Sequence, residues 1–320
     1  MSKKLVVIVK NLTDSQYDVI RSTADRLGWK AEICDDLEEA IKASRDAEVV
    51  FGDTPRLTFN APELKWVCSP SAGVNHFTRS EEFMKSGIML SNSSGAYGTT
   101  ISEHVVMVTL ALLRRLPEYQ AKVAAKEWFR GYGIRSIRES RVTVLGTGDI
   151  GKSAAVRMRS FVPDRITGMN TTGTDDSGLF DSVISPDGLD EVLPETDILV
   201  MALPLTAATA HIMNADRLAK LPDGAVIVNV GRGGCIEQKA LLKELKAGRL
   251  FAALDVFEEE PLKVDSEVWD CPNLLITPHV AGDMLLPFTV QKIVDMFLED
   301  FEVYAAGGTP ARAVELKKGY

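Results

Sequence analysis

Short apolar runs separated by polar, turn-rich stretches set the rhythm of the first hundred residues. Leu5–Val9, Lys30–Ile33, Glu48–Phe51, Lys65–Ser69 and Ile88–Ser91 read as strands, with helical stretches between them such as Asp14–Leu27, capped by Asp14 or Ser15. Alternation of this kind predicts a parallel sheet with helices on both faces. From about Thr99 to Lys126 the pattern becomes a long helix interrupted near Pro117. Its first half (Val105, Val106, Met107, Val108, Leu110, Ala111, Leu112, Leu113) is apolar on most sides, which predicts burial between domains or in a subunit interface. A second alternating series follows, with strands at Arg141–Leu145, Arg165–Met169, Asp197–Leu203, Ala225–Val230, Leu250–Val256 and Asn273–Thr277. That is about six strands, the number expected of a dinucleotide-binding sheet. An amphipathic helix, Leu286–Tyr304, ends the pattern.

A chain of 320 residues suits one large α/β unit or two modest domains. Its net charge of −9 argues against a nucleic-acid or anionic-membrane partner, and makes each well-placed Arg or His informative. The apolar run Leu5–Val9 is too short for a signal-peptide core, and no stretch approaches the ~18 apolar residues of a membrane span, so the expected location is the cytoplasm. Cys34, Cys68, Cys235 and Cys271 show no C-x-x-C spacing and no histidine at metal-site spacing; they read as reduced, buried thiols, and no metal is expected.

Gly146-Thr147-Gly148-Asp149-Ile150-Gly151 is a G-x-G-x-x-G that follows the strand Val142–Leu145 and opens a helix running to about Phe161. That context turns a weak motif into a phosphate-binding loop. Gly146 permits the tight turn, Gly148 lets the backbone approach a pyrophosphate, and Gly151 lets the helix pack on the strand. The helix N-terminus offers free N–H groups and a positive dipole end.

Ligands in open parallel sheets bind outside the carboxyl ends of the strands. Three successive strand ends carry Arg232, the run Glu258-Glu259-Glu260, and His279. Reducing a 2-keto acid calls for a cation to hold the carboxylate, a proton donor for the carbonyl oxygen, and a group that orients the donor. Arginine offers a permanently charged fork, histidine a proton near neutral pH, and a carboxylate beside histidine favours imidazolium. Chemistry alone does not choose among the three glutamates. His76, His104 and His211 lack this placement and read as structural.

These residues, with Ser71-Ala72-Gly73-Val74-Asn75, Leu203-Pro204-Leu205-Thr206 with Thr209, Val228-Asn229-Val230-Gly231-Arg232-Gly233, Leu254-Asp255-Val256-Phe257 through Glu260-Pro261, and Pro278-His279 with Ala281-Gly282, give the chain a likeness over essentially its whole length. It resembles the D-isomer-specific 2-hydroxyacid dehydrogenases. The resemblance implies an α/β fold of two doubly wound parallel-sheet domains with a cleft between them. A Rossmann cofactor domain, 99–284, is inserted in a flavodoxin-like substrate domain, 1–98 and 285–320. It implies that Arg232 binds substrate carboxylate and carbonyl, and that Glu260 pairs with His279 as acid/base. Backbone N–H groups around Ala72, Gly73 and Val74 hold the carboxylate, and Asp255 contacts the nicotinamide amide. Cofactor contacts are expected from Gly146 to Gly151, Asn170, Thr171, Thr172, Leu203, Pro204, Thr209, Val230, Gly231, Asp255 and His279. A homodimer through the long-helix region is implied as well.

Several positions depart from the family pattern. Users of NAD carry an acidic residue at the end of the second cofactor-domain strand; here Asn170-Thr171-Thr172 follow Gly168-Met169. All three can donate to a phosphate and none repels it, so NADP is the expected preference with NAD the alternative; Lys152 and Arg165 are the candidate cations, and Asp175 or Asp176 the fallback for a ribose contact. Met284, Leu285 and Leu286 favour a bulkier or apolar substrate. The chain ends at Tyr320 with no regulatory domain after the catalytic motifs, which argues against the longer phosphoglycerate dehydrogenases. Formate dehydrogenases carry glutamine where Glu260 stands. The expected reaction is therefore reversible reduction of a small 2-keto acid to the D-2-hydroxy acid. The alternative from another class is a nicotinamide-sensing binding protein or corepressor of the same fold.

Overall fold

The computed structural model describes residues 3–316; residues 1–2 and 317–320, at the two ends of the expected substrate domain, lie outside the described residues. The chain divides into two compact units, Met1–Tyr97 with Met284–Tyr320, and Gly98–Asp283.

The first unit is built on β1 (Lys3–Ile8), β2 (Trp29–Ile33), β3 (Val49–Gly52), β4 (Trp66–Cys68) and β5 (Met89–Ser91). All pairings are parallel, in the order β2-β1-β3-β4-β5 of flavodoxin-like folds. Leu5, Val6 and Val7 on β1 and Val49, Val50 and Phe51 on β3 are fully buried, as strands covered on both faces must be. The helix Asp14–Arg26 is capped one residue before the expected position. Gln16 N donates to Thr13 Oγ1 at 3.3 Å and Thr13 N donates to Gln16 Oε1 at 2.8 Å, so a reciprocal capping box fixes the start. The helix Pro287–Ala305 belongs to this unit because aromatic side chains bind it there: Phe297 stacks on Phe51 with ring centres 4.1 Å apart, and Phe301 meets Trp29 edge-on at 5.2 Å.

The second unit carries β6 (Arg141–Leu145), β7 (Arg165–Met169), β8 (Ser182–Ile184), β9 (Ile198–Met201), β10 (Val226–Asn229), β11 (Phe251–Leu254) and β12 (Leu274–Ile276). The order is β12-β11-β10-β9-β6-β7-β8, all parallel. From β6 the chain winds outward through β7 and β8, then returns to β9 and winds the other way. The topological switch point therefore lies between β6 and β9, as in a Rossmann sheet. The sequence reading gave about six strands; β8 is the one it missed, an edge strand of three residues with only Val183 and Ile184 apolar.

The long helical region is two helices, Gly98–Leu113 and Leu116–Ala124, broken at Arg115 in the left-handed region (φ 57°) and not at Pro117. Pro117 occupies the first turn of the second helix, where a missing N–H is harmless. Val105, Val108, Leu112 and Leu113 are buried, while Met107 is half exposed. Val106, Leu110 and Ala111 are partly exposed, so half of the eight apolar residues keep some accessible surface. Among the described residues no helix is long and apolar enough to cross a membrane.

Candidate active site

Because the sheet of the second unit is wholly parallel, every strand delivers its following loop to one edge. The loop after β6 starts at Gly146, in the left-handed region at φ 98°, where a Cβ would stand 2.8 Å from the Ala202 carbonyl oxygen. A Cβ on Gly151 would lie 1.9 Å from the Gly146 oxygen, so only glycine lets the helix Asp149–Arg159 pack on the loop. Gly148 differs: nothing lies within 4 Å of its Cβ position. It caps the helix without a side-chain acceptor, so an open approach leads to the first N–H groups. This cradle fits a dinucleotide pyrophosphate, whose charge those groups and the helix dipole would hold.

Across the switch point, the loop after β9 is knotted by Thr209, whose hydroxyl donates to Pro204 O at 2.6 Å and accepts from Thr206 N at 2.8 Å. Leu203 forms the floor under the next loop: a Cβ on Gly231 would come within 2.7 Å of its backbone N. Val230 N donates to Met201 O, which extends the β9–β10 pairing to that point.

Arg232 follows β10 in a turn clamped by buried Asn229. Gly231 N donates to Asn229 Oδ1 and Asn229 Nδ2 donates to Arg232 O, each at 3.0 Å. The half-buried Arg232 side chain donates from Nη1 to Gly231 O at 2.7 Å. A Cβ on Gly233 would be 1.9 Å from the Phe257 carbonyl carbon, so glycine there is what lets the arginine loop pass the loop after β11.

The three glutamates separate by partner. Glu258 Oε1 lies 2.9 Å from His211 Nε2 and accepts from Gln238 N at 3.1 Å. Glu259 pairs with Lys263 at 2.7 Å. Glu260 accepts from Phe257 N at 2.7 Å through Oε1, and its Oε2 lies 2.6 Å from His279 Nδ1. The His279 side chain is 52% exposed and that of Glu260 31%, so the imidazole is tethered on one side and open on the other.

His279 sits at φ 56°, a strained backbone for a non-glycine residue. Buried Asp255, just beyond β11, holds the turn. Its Oδ1 accepts from Thr277 Oγ1 (2.6 Å) and Val280 N (2.9 Å), its Oδ2 from Ala281 N (3.0 Å), and its backbone oxygen from His279 N (2.9 Å). His104 Nε2 stands 3.3 Å from Thr277 Oγ1 behind the turn. Burial pushes the His104 pKa down, against the pull of the Asp255 charge. Asn229, Thr277 and His104 brace the turns that carry Arg232 and His279 and were not among the expected site residues. Buried Asn229 inside an apolar strand was the available signal; His104 and Thr277 gave none.

Beyond β7 the outcome differs from expectation. Asn170 Nδ2 donates to Thr147 Oγ1 at 2.8 Å and to Thr174 O at 2.7 Å, while its Oδ1 accepts from Thr172 N, Thr172 Oγ1 and Gly173 N. The donors of Asn170 and Thr172 expected to face a phosphate are engaged inside the loop, which leaves exposed Thr171. Lys152 pairs with Asp175 at 2.7 Å, and Arg165 pairs with Glu195.

In the first unit, Asn92 Nδ2 donates to Ala72 O at 2.8 Å beside Gly73, and Val74 is buried. Asp53 accepts from the Ser69 and Ser71 hydroxyls and lies 3.0 Å from His76 Nε2. Burial alone would raise the Asp53 carboxyl; the bond and charge of His76 and the two serine bonds outweigh it and hold it low. All four cysteines are buried and free. Burial pushes the Cys34 thiol up to about 11, Cys68 up to about 12, and Cys235 and Cys271 upward, which leaves them protonated and unreactive near neutrality. Among the described residues no group of three or more His, Cys, Asp and Glu could hold a metal ion.

Comparison with known proteins points the same way. Residues 106–281 match the family model of the D-isomer specific 2-hydroxyacid dehydrogenase, NAD binding domain. The glyoxylate/hydroxypyruvate reductase B of Pectobacterium atrosepticum is 32% identical over 229 residues, 70% of this chain and 71% of that one. Among solved structures, a D-isomer specific 2-hydroxyacid dehydrogenase family protein from Aeromonas salmonicida superposes with a TM-score of 0.87 at 27% identity, over 99% of this chain and 100% of that one. An NADPH-dependent glyoxylate/hydroxypyruvate reductase from Sinorhizobium meliloti, in complex with NADP and sulfate, gives 0.82 at 28% identity with the same coverage.

Proposed function

The chain belongs to the D-isomer specific 2-hydroxyacid dehydrogenases, and from that premise we propose that it reduces short 2-keto acids, glyoxylate and hydroxypyruvate first among them, to 2-hydroxy acids, of D configuration where the product is chiral. One observation carries the reading. Adjacent parallel strands β10, β11 and β12 bring Arg232, Glu260 and His279 to the edge that also carries the glycine loop, and Glu260 already holds His279 at 2.6 Å.

A reduced nicotinamide dinucleotide, held by its pyrophosphate at the Gly146–Gly151 loop, would supply the hydride. The guanidinium of Arg232 binds the substrate carboxylate and polarises the carbonyl oxygen. His279, held through Nδ1 by Glu260, donates the proton from Nε2 to that oxygen, and Glu260 balances the imidazolium charge before transfer. Asp255 fixes the turn that aims the imidazole. Gly73 and Val74 are assigned to the carboxylate on the family likeness alone. NADP is the proposed preference, supported by the absence of a carboxylate at Asn170 and by the NADP-bound relative. The short substrates follow the relatives' names and set aside the bulkier ones favoured by Met284–Leu286.

The test is a steady-state assay of glyoxylate, hydroxypyruvate, pyruvate and a branched 2-keto acid with each reduced cofactor. Turnover of the short acids with the higher kcat/KM for NADPH is expected. A tenfold preference for NADH overturns the cofactor choice, and turnover confined to the branched acid overturns the substrate class.

A further inference from the structure

Two ion pairs join the loop after β7 to the helix opened by the glycine loop, Lys152–Asp175 at the end next to the glycines and Arg159–Asp181 at the other. Lys152, in the first turns of Asp149–Arg159, places Nζ 2.7 Å from Asp175 Oδ1; the lysine side chain is 40% exposed and that of the aspartate 6%. Asp175 follows Thr174, whose backbone oxygen accepts from Asn170, so it is tied to the end of β7 by a short hydrogen-bonded loop. It also accepts from Ser177 N at 2.9 Å and from the Ser177 hydroxyl. The other cations on these two elements face other partners: Arg157 faces Glu103, Arg159 pairs with Asp181, and Arg165, at the far end of β7, pairs with Glu195.

In a dinucleotide-binding sheet the adenine ribose lies at the end of the second strand, beside the helix that follows the glycine loop, and the 2′ substituent is read there. β7 is that second strand, and Lys152–Asp175 bridges the two elements that frame the position. Asn170 stands where an acidic residue excludes a 2′-phosphate, yet its own amide donors are already engaged. Cationic recognition of a phosphate must therefore come from elsewhere in the frame.

We propose that Lys152 is the cation for the 2′-phosphate of NADP, and that Asp175 is the resting counter-ion from which the phosphate takes it, so that this pair sets the balance between the two dinucleotides. The inference rests on the cofactor reading above. The lysine end of the pair is open to solvent, which lets the ammonium turn to a second anion, and Asp175 keeps the Ser177 amide and hydroxyl as donors when it does. A phosphate dianion with three acceptor oxygens competes for the ammonium effectively. With NAD the pair stays intact and no charge is left unpaired. Asp175 thus tempers the preference for NADP without abolishing it.

The test is titration of the full-length protein with NADPH and with NADH, followed by nicotinamide fluorescence in the absence of substrate. Lys152→Met should weaken NADPH by about tenfold or more, as loss of a charged hydrogen bond does, and leave NADH within about twofold. Asp175→Asn, which keeps an acceptor for Ser177, should tighten NADPH by about two- to fivefold. Added salt should narrow the difference between the dinucleotides in the wild type more than in Lys152→Met. Equal weakening of both dinucleotides by Lys152→Met would mark a purely structural role and overturn the inference, as would an unchanged NADPH-to-NADH ratio in either variant. A wild type that binds neither dinucleotide overturns the cofactor reading itself, and the inference with it.

Discussion

His279 is oriented from two sides, by Glu260 on its ring and by Asp255 beneath its backbone. The two supports predict different failures. His279→Ala removes the proposed proton donor and should lower kcat by about 10²–10⁴-fold with little change in dinucleotide affinity; wild-type kcat in that variant would show the donor to be misassigned. Asp255→Asn replaces an acceptor-only carboxylate with a group that must point donors at Val280 N or Ala281 N. It should cost about 1–3 kcal/mol of stability in a denaturant titration and lower kcat as well. At this scale the placement of Arg232, the glutamate run and His279 after successive strands was legible from the strand pattern, while the choice of Glu260 among the three came from the family likeness. The engagement of the Asn170 donors was not, since it depends on the chain folding back four residues later onto Thr174.

Strands were read well where burial on both faces made them continuous apolar runs, as in β6, β9 and β10, and poorly at the edge, where β8 is short and half exposed. The cap at Thr13 was missed because Asp14 and Ser15 are equally good cap residues; the reciprocal bond with Gln16 decides it. The glycine loop separates two roles that sequence treats alike. Gly148→Ala meets open space, so the protein should keep its melting temperature while its dinucleotide affinity falls. Gly151→Ala forces a Cβ to 1.9 Å from the Gly146 oxygen and should lower stability and affinity together. Comparable melting temperatures for the two would contradict that division. The return of the last helix to the first unit rests on aromatic packing. Phe297→Ala should therefore cost about 3–5 kcal/mol, read from the denaturant transition of the first unit.

For the whole molecule, the family likeness implies a homodimer. The second unit exposes Met107, Leu116, Val123, Trp128 and Ile134, with Trp128 93% exposed. That is more apolar surface than scattered single residues would give, on the helical region and the segment after it. A Trp128→Glu, Val123→Glu variant should shift the mass found by light scattering from dimer toward monomer, and a wild-type monomer at micromolar concentration would contradict the expectation. The proposed reaction needs both a dinucleotide at the glycine loop and a keto acid at the strand-end triad. Arg232 separates the two most directly, because its proposed partner is the substrate and not the pyrophosphate. The decisive measurement compares wild type and Arg232→Ala for NADPH affinity and for glyoxylate reduction in the same preparation. The account predicts matching affinities, with kcat/KM for glyoxylate lower by about a hundredfold or more in the variant. Equal kcat/KM in the two proteins, or a wild type that binds NADPH yet turns over no 2-keto acid, would contradict it.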